Sequence, residues 1–335
     1  MSPWHFSFGS RPRALGIMTA LLLLSPGFAR GQITPQQAAQ IQNAIGNRIE
    51  ALTILGGDFG LAGGLFRSRV TVQGAQSTDT QLQVGKLGGA GDVGDIRPLG
   101  DLSIGWQPRV QGNMGAVTST NHLHGMLEGD TSTFEAKGIE FGGGARFWVN
   151  DQLSFAPTIM ALYGHTTNTY TAVSAFMQAN LDRAVQAGLV NYNVDTITVR
   201  TASDVQYLVD WGRTIVTLTM EPVWFHTESL SSSNSNVKVN GDSGTLAGII
   251  DVDIPLRHDL FGHELRTGGY YRHTLLFGGL ESGLDMSQMN ELHGRIVLDF
   301  LNQLWKVQWL GIGVSYLWGS NINGWSGGLD ATFRF

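Results

Sequence analysis

Three short constellations carry residue types that could do chemistry. Gly89-Ala90-Gly91-Asp92-Val93-Gly94 has the glycine spacing of a dinucleotide-binding turn. That pattern works only where a helix follows and aims its N-terminus at the pyrophosphate. Pro98 follows instead, so the segment is read as a Gly-rich periplasmic turn and no cofactor is expected. Gly241-Asp242-Ser243-Gly244 has the order of an activated-serine stretch, but its Gly-Pro flank and a companion His and Asp are missing, and Gly, Asp and Ser are turn formers. It is read as a surface turn. His122 and His124 would share one side of a strand and could hold a metal with Glu128 and Asp130. Their polar loop context favours simple solvation, and no metal is expected. His165 and His226 lie near strand ends where a rim enzyme could use them, but no nucleophile accompanies them and no catalytic residue is assigned.

A larger set of charges shares one side of alternating segments: Arg109, Glu140, Arg146, Arg200, Asp204, Glu221, Asp251, Asp253, Arg266, Arg272, Arg295, Asp299, Asp330 and Arg334, with both signs in equal number. A selective pore would show a ring of one sign. Balanced charges suit pairs across a lumen and contacts to an inserted helix that brings Arg48 and Glu50. Plain solvation of a lumen wall is the alternative.

The elements that must hold these charges follow from pattern and composition. Charged residues make up 14% of the 335, against a usual share of about 25%, while 45 glycines is nearly double the ordinary proportion. A net charge of -6 and the lack of any basic block leave nucleic acid an unlikely partner class, and a chain with 0 cysteines has neither disulfides nor thiolate metal sites. Residues 1–31 carry Arg11 and Arg13, an apolar run from Ala14 to Leu24, and small residues up to Gly31, the pattern of a cleaved signal peptide. Beyond them no run of 18 apolar residues occurs, so a helical membrane protein is excluded.

Thr34-Pro35 offers a helix start, and Ala38, Ile41, Ile45, Ile49 and Leu52 recur at helical spacing, so 32–55 is predicted as an amphipathic helix. From 56 to 335 the period is two. Ile197, Val199, Val205, Tyr207 and Val209 oppose Arg200, Asp204 and Gln206, and the other segments repeat this contrast. Many runs reach the roughly nine to eleven residues a tilted membrane strand needs. Twelve such runs predict an all-β membrane protein, a 12-stranded antiparallel transmembrane β-barrel with short periplasmic turns, long outer loops and both termini periplasmic. Phe333 and Phe335 end the last run and are assigned as a C-terminal assembly signal for the barrel-assembly machinery.

Ala51-Leu52-Thr53-Ile54-Leu55-Gly56-Gly57-Asp58-Phe59-Gly60-Leu61-Ala62-Gly63-Gly64, behind the short helix, resembles the start of the solitary outer-membrane autotransporter-like barrels. The resemblance implies a translocator-like barrel without a passenger, threaded by its own helix. It brings no catalytic residue, since the Asn-Asn junction of some relatives has no match. Size agrees: twelve strands lie between a side-chain-filled and a water-filled barrel, and a helix about 10–12 Å across would nearly fill the lumen. The expectation is a non-enzymatic outer-membrane protein with an envelope or surface-interaction role, in contact with outer-membrane lipid. A diffusion channel or porin and an outer-rim enzyme are the alternatives. No surface partner is named by the sequence.

Overall fold

A computed structural model describes residues 35–58, 64–72, 76–100, 102–304, 307–320 and 322–333. The leader, residues 1–31, and the terminal Arg334 and Phe335 lie outside them.

Helix α1 (Pro35–Asp58) forms where the isoleucines recur. Ile41, Ile45, Ile49 and Leu52 are all buried, whereas Gln40, Gln42 and Asn43 are exposed. The strands are β1 (Gly64–Val72), β2 (Gln76–Asp92), β3 (Arg97–Leu99), β4 (Leu102–Leu123), β5 (Thr131–Trp148), β6 (Leu153–Thr171), β7 (Tyr192–Trp211), β8 (Thr214–Ser232), β9 (Asn240–Leu260), β10 (His263–Gly278), β11 (Gln288–Leu304), β12 (Val307–Gly319) and β13 (Ile322–Phe333). Each pairs antiparallel with its neighbours. The ring closes because β1 also pairs with β13, from Gly64 opposite Ser326 to Ser68 opposite Ile322, while β2 pairs with β4. Three-residue β3 continues the line of β2 along β4, with Arg97 opposite Trp106, so the closed ring has twelve members. Along the segment where β1 and β13 pair, closure satisfies backbone groups that a lipid-facing sheet edge would leave open.

Short turns join the strands at one end, where Trp211 and Phe261 are 79% and 85% exposed. Long connections at the other end carry helices α2 (Ala175–Gln186) and α3 (Gly279–Leu284). The outward side is apolar: Ile139, Phe141, Ile159, Leu292, Ile312 and Leu329 are each more than half exposed. Tyr316 packs on Trp318 and Trp325 at ring separations of 5.6 Å and 4.7 Å, part of an aromatic girdle.

The wall is uneven in height. β9 has 21 residues and β13 has 12. At about 3.4 Å per residue and a tilt near 40°, the tall side rises about 55 Å, roughly twice the ~25 Å lipid-facing band. The upper ends of β4 to β9 therefore stand above the lipid, and α1 packs there.

Candidate functional site

The helix ends in the barrel mouth, and its direction follows from its neighbours. A side chain at Gly46 would meet the carbonyl of Lys238, in the connection above β9, at 3.0 Å. Seven residues on, Thr53 Oγ1 lies 3.3 Å from Thr166 Oγ1, some way down β6. The N-terminal end of α1 thus points to the long-loop side and its C-terminal end into the ring. This corrects the expectation that the chain enters from the periplasmic side: the wall is tall and the loops apolar where the isoleucines must be buried. Ile41, Ile45 and Ile49 belong to one cluster with Leu189, Val190, Val237 and Val239 from the outer connections and with Met177 and Ala184 of α2. The sequence reads these connections as long polar segments, with a short helix around Asn180–Arg183 in 166–194 whose Met177 and Ala184 could cap the mouth or fold inward; α2 is that helix, and both side chains are buried.

Polar side chains of α1 are individually matched. Arg48 donates from Nη1 to the Gly283 carbonyl at 2.8 Å and from Nη2 to Ser119 Oγ at 2.7 Å, and its guanidinium stands 5.9 Å above the Phe134 ring. Asp285, just past α3, adds electrostatic attraction. Glu50 accepts from Ser243 Oγ, whose own acceptor position is taken by the Leu280 N–H at 3.1 Å. The expectation had placed Arg48 and Glu50 among wall charges such as Arg146 and Arg295. They engage hydroxyls, a carbonyl and the α3 segment instead, because the helix docks above the charged tiers.

Close approach needs small residues. A Cβ on Gly164 of β6 would collide with Thr53, and one on Gly283 with the Asn47 carbonyl and Ala51. At Gly241 and Gly279 it would collide with Glu50 Oε2. The Gly241–Gly244 motif therefore opens β9 rather than forming a surface turn, and Ser243 faces inward. Burial holds the Glu50 carboxyl above its ordinary range, opposed by the Ser243 hydrogen bond.

Below the helix, the inward charges form three networks. Near the short-turn end, Asp92 accepts from Arg109 at 3.0 Å and Arg146 at 2.9 Å. Asp204 lies 3.6 Å from Arg109, and Arg146 also reaches Gln206 at 2.8 Å. At mid-height, Arg200 stands 4.0 Å from Glu140 and 3.6 Å from Glu221, which accepts from Arg272 at 2.9 Å. On the far side Arg295 grips Asp251 through two bonds of 2.7 Å and 2.8 Å, while Arg266 bonds Asp253 and lies 3.7 Å from Asp299. Several pairs skip a strand, spanning chords of about 10 Å. Asp92 was missed as a lumen residue because its glycines read as a turn. Residues 89–92 are strand, and Asp92 shares the parity of buried Leu82 and Val84.

The remaining candidates sit at the long-loop end. Asp130 is filled by the amides of Val173 at 2.6 Å and Ser174 at 2.7 Å, with the hydroxyls of Ser174 and Tyr170. Burial raises its carboxyl, but those donors outweigh it and hold the group below its usual range. His124 stands 3.3 Å from both Asp79 and Glu128, and His122 is the last residue but one of β4. Among the described residues no group of His, Asp and Glu is arranged to hold a metal. On the outer face His226 lies 3.0 Å from Asp242 and 3.2 Å from Glu228. His165 lies 2.7 Å from Asp195 and 3.3 Å from Thr167 Oγ1. That last trio has the order of a relay to a nucleophile. Thr167 is, however, paired on both sides, to Glu135 and Asn193, in a ladder that leaves no free amide for an oxyanion.

A closed ring of twelve tilted strands, apolar outside and charge-laced inside, defines a transmembrane β-barrel with a helix docked in its outer mouth. The model of the solitary outer membrane autotransporter beta-barrel domain matches residues 98–327, so the chain belongs to that family, whose place is the outer membrane. Among solved structures, the chain is similar to the β domain of the Bordetella autotransporter BrkA, at 13% identity and TM-score 0.49, covering 82% of this chain and 100% of that one. It is also similar to the translocator domain of autotransporter NalP from Neisseria meningitidis, at 12% identity and TM-score 0.47, covering 87% of this chain and 94% of that one. No curated protein matches the chain.

Proposed function

We propose that this outer-membrane barrel is kept shut by its own helix and serves envelope structure or surface interaction without enzymatic chemistry. The observation that supports the reading is the specific seating of α1: Arg48, Glu50 and Thr53 each meet a matched partner on the wall or on α3. A helix merely resting in a wide lumen would not need glycines where it touches. The alternative of a diffusion channel draws on Asp92, Asp204 and Asp251, whose side chains in the lower lumen stay 24%, 22% and 27% exposed.

Conductance across a planar bilayer separates the two. Thr53→Cys with Thr166→Cys should form a disulfide in this cysteine-free chain, and the oxidised protein should conduct no better than the wild type. Removal of residues 35–58 should open a larger, steadier pore. A wild type that already conducts like a porin, with no change on deletion, would hand the reading to the channel.

A further inference from the structure

We propose that Glu50 is a proton-operated latch on the helix: while its carboxyl carries a proton α1 stays seated, and loss of that proton releases it. The inference rests on the reading of α1 as the closing element.

Glu50 is 0% exposed. Its Oε1 is engaged by the Ser243 hydroxyl, and its Oε2 has no hydrogen-bond partner. The glycines at positions 241 and 279 close over Oε2 so tightly that a methyl group at either would collide with it. A carboxylate sealed in this way with one hydroxyl donor is strongly disfavoured, whereas the neutral acid is tolerated. The unpartnered Oε2 is the natural seat of the proton.

The charges around the site do not supply a counter-ion. Arg48, two residues earlier, is committed to Gly283, Ser119 and the attraction of Asp285. From β9 and β8, Asp242 and His226 act on Glu50 in opposite directions, and they stand 3.0 Å from each other on the outer face. α3 brings Glu281, a further acid, and Lys238 approaches α1 by its carbonyl at Gly46. Among the described residues no cation lies within ion-pair distance of Glu50.

The sign follows. The seated helix binds the Glu50 proton more tightly than a released, hydrated one does, so seating is strongest at acid pH and weakens as pH rises. A single proton limits the effect to about tenfold per pH unit.

Full-length mature protein recorded from about pH 5 to about pH 9, a range spanning ordinary and raised carboxyl values, tests this, with heat-shifted gel migration confirming the folded barrel. The wild type should be shut in acid and open increasingly toward alkaline pH. Glu50→Gln, which keeps the shape and cannot lose a proton, should stay shut throughout. A wild type shut at every pH overturns the latch and leaves the closing helix standing. Conduction at every pH in both proteins overturns both. Equal pH responses in the two overturn the latch alone. Should the variant not assemble, hydrogen exchange of the wild-type amides from 45 to 55 decides. Their protection factors, corrected for intrinsic rates, should fall with rising pH, and flat values overturn the latch.

Discussion

Asp130 shows how one side chain can set the shape of a loop. Its carboxylate receives two amides and two hydroxyls, which ties the start of the α2 connection to the turn between β4 and β5. Each charge-assisted bond contributes more than a neutral one, because the acceptor is ionised. Asp130→Asn should therefore loosen residues 172–191 by roughly 1–3 kcal/mol of local stability, read as faster hydrogen exchange there with an unchanged barrel. The pH dependence has a definite direction. A carboxyl held below its ordinary range stabilises the fold above that range, and the contribution is lost as pH falls through the depressed value. Acid should thus mimic Asp130→Asn in the wild type and have little further effect in the variant. Exchange at 172–191 that is indifferent to acid would refute the assignment.

At the level of elements, the helix and the wall are separable. The β6 ladder to β5 and β7 runs through its backbone, while Gly164 touches α1 only by lacking a side chain. Gly164→Leu should leave the ring paired and force Thr53, and with it α1, away from β6. Overpacking of this kind costs about 1–3 kcal/mol, so the unseated fraction should rise about 5- to 150-fold. Higher conductance with normal heat-shifted migration is the expected result. A variant that stays shut would mean that the wall, not the glycine, sets the fit. The internal Gly46 fits the same logic: it costs the helix about 1 kcal/mol against Ala and is tolerated where the Lys238 carbonyl comes close.

For the whole molecule, closure governs behaviour. Once β1 pairs with β13 each of the twelve ring members has two neighbours, and the protein should fractionate with the outer membrane and shift mobility only on boiling. We propose that the last strand carries the signal that directs assembly. Replacing Phe333 and Phe335 by Asp should lower the amount of barrel, though charge near the interface costs only about 0–1 kcal/mol in the folded state. The defect should therefore be kinetic, seen as degradation before insertion. Undiminished barrel levels in a pulse-chase experiment would remove these two residues from the assembly role.

Local regularities were legible without the fold. The two-residue period told which side chains share a face, because successive side chains in a strand must alternate, and Arg109, Glu140, Arg200 and Arg295 were placed inward on that ground alone. The isoleucine spacing located α1 to within a few residues, and the pairing of short and long connections sorted the two ends. Partners were another matter. Whether Arg146 meets Asp92 or Arg48, and whether Ser243 lies in a turn or beneath Glu50, depends on strand stagger, on wall height and on the direction in which the helix enters. Those quantities arise when distant strands close a ring. No window of neighbouring residues contains them, since alternation fixes the face of a side chain and says nothing about what the tertiary structure sets opposite it.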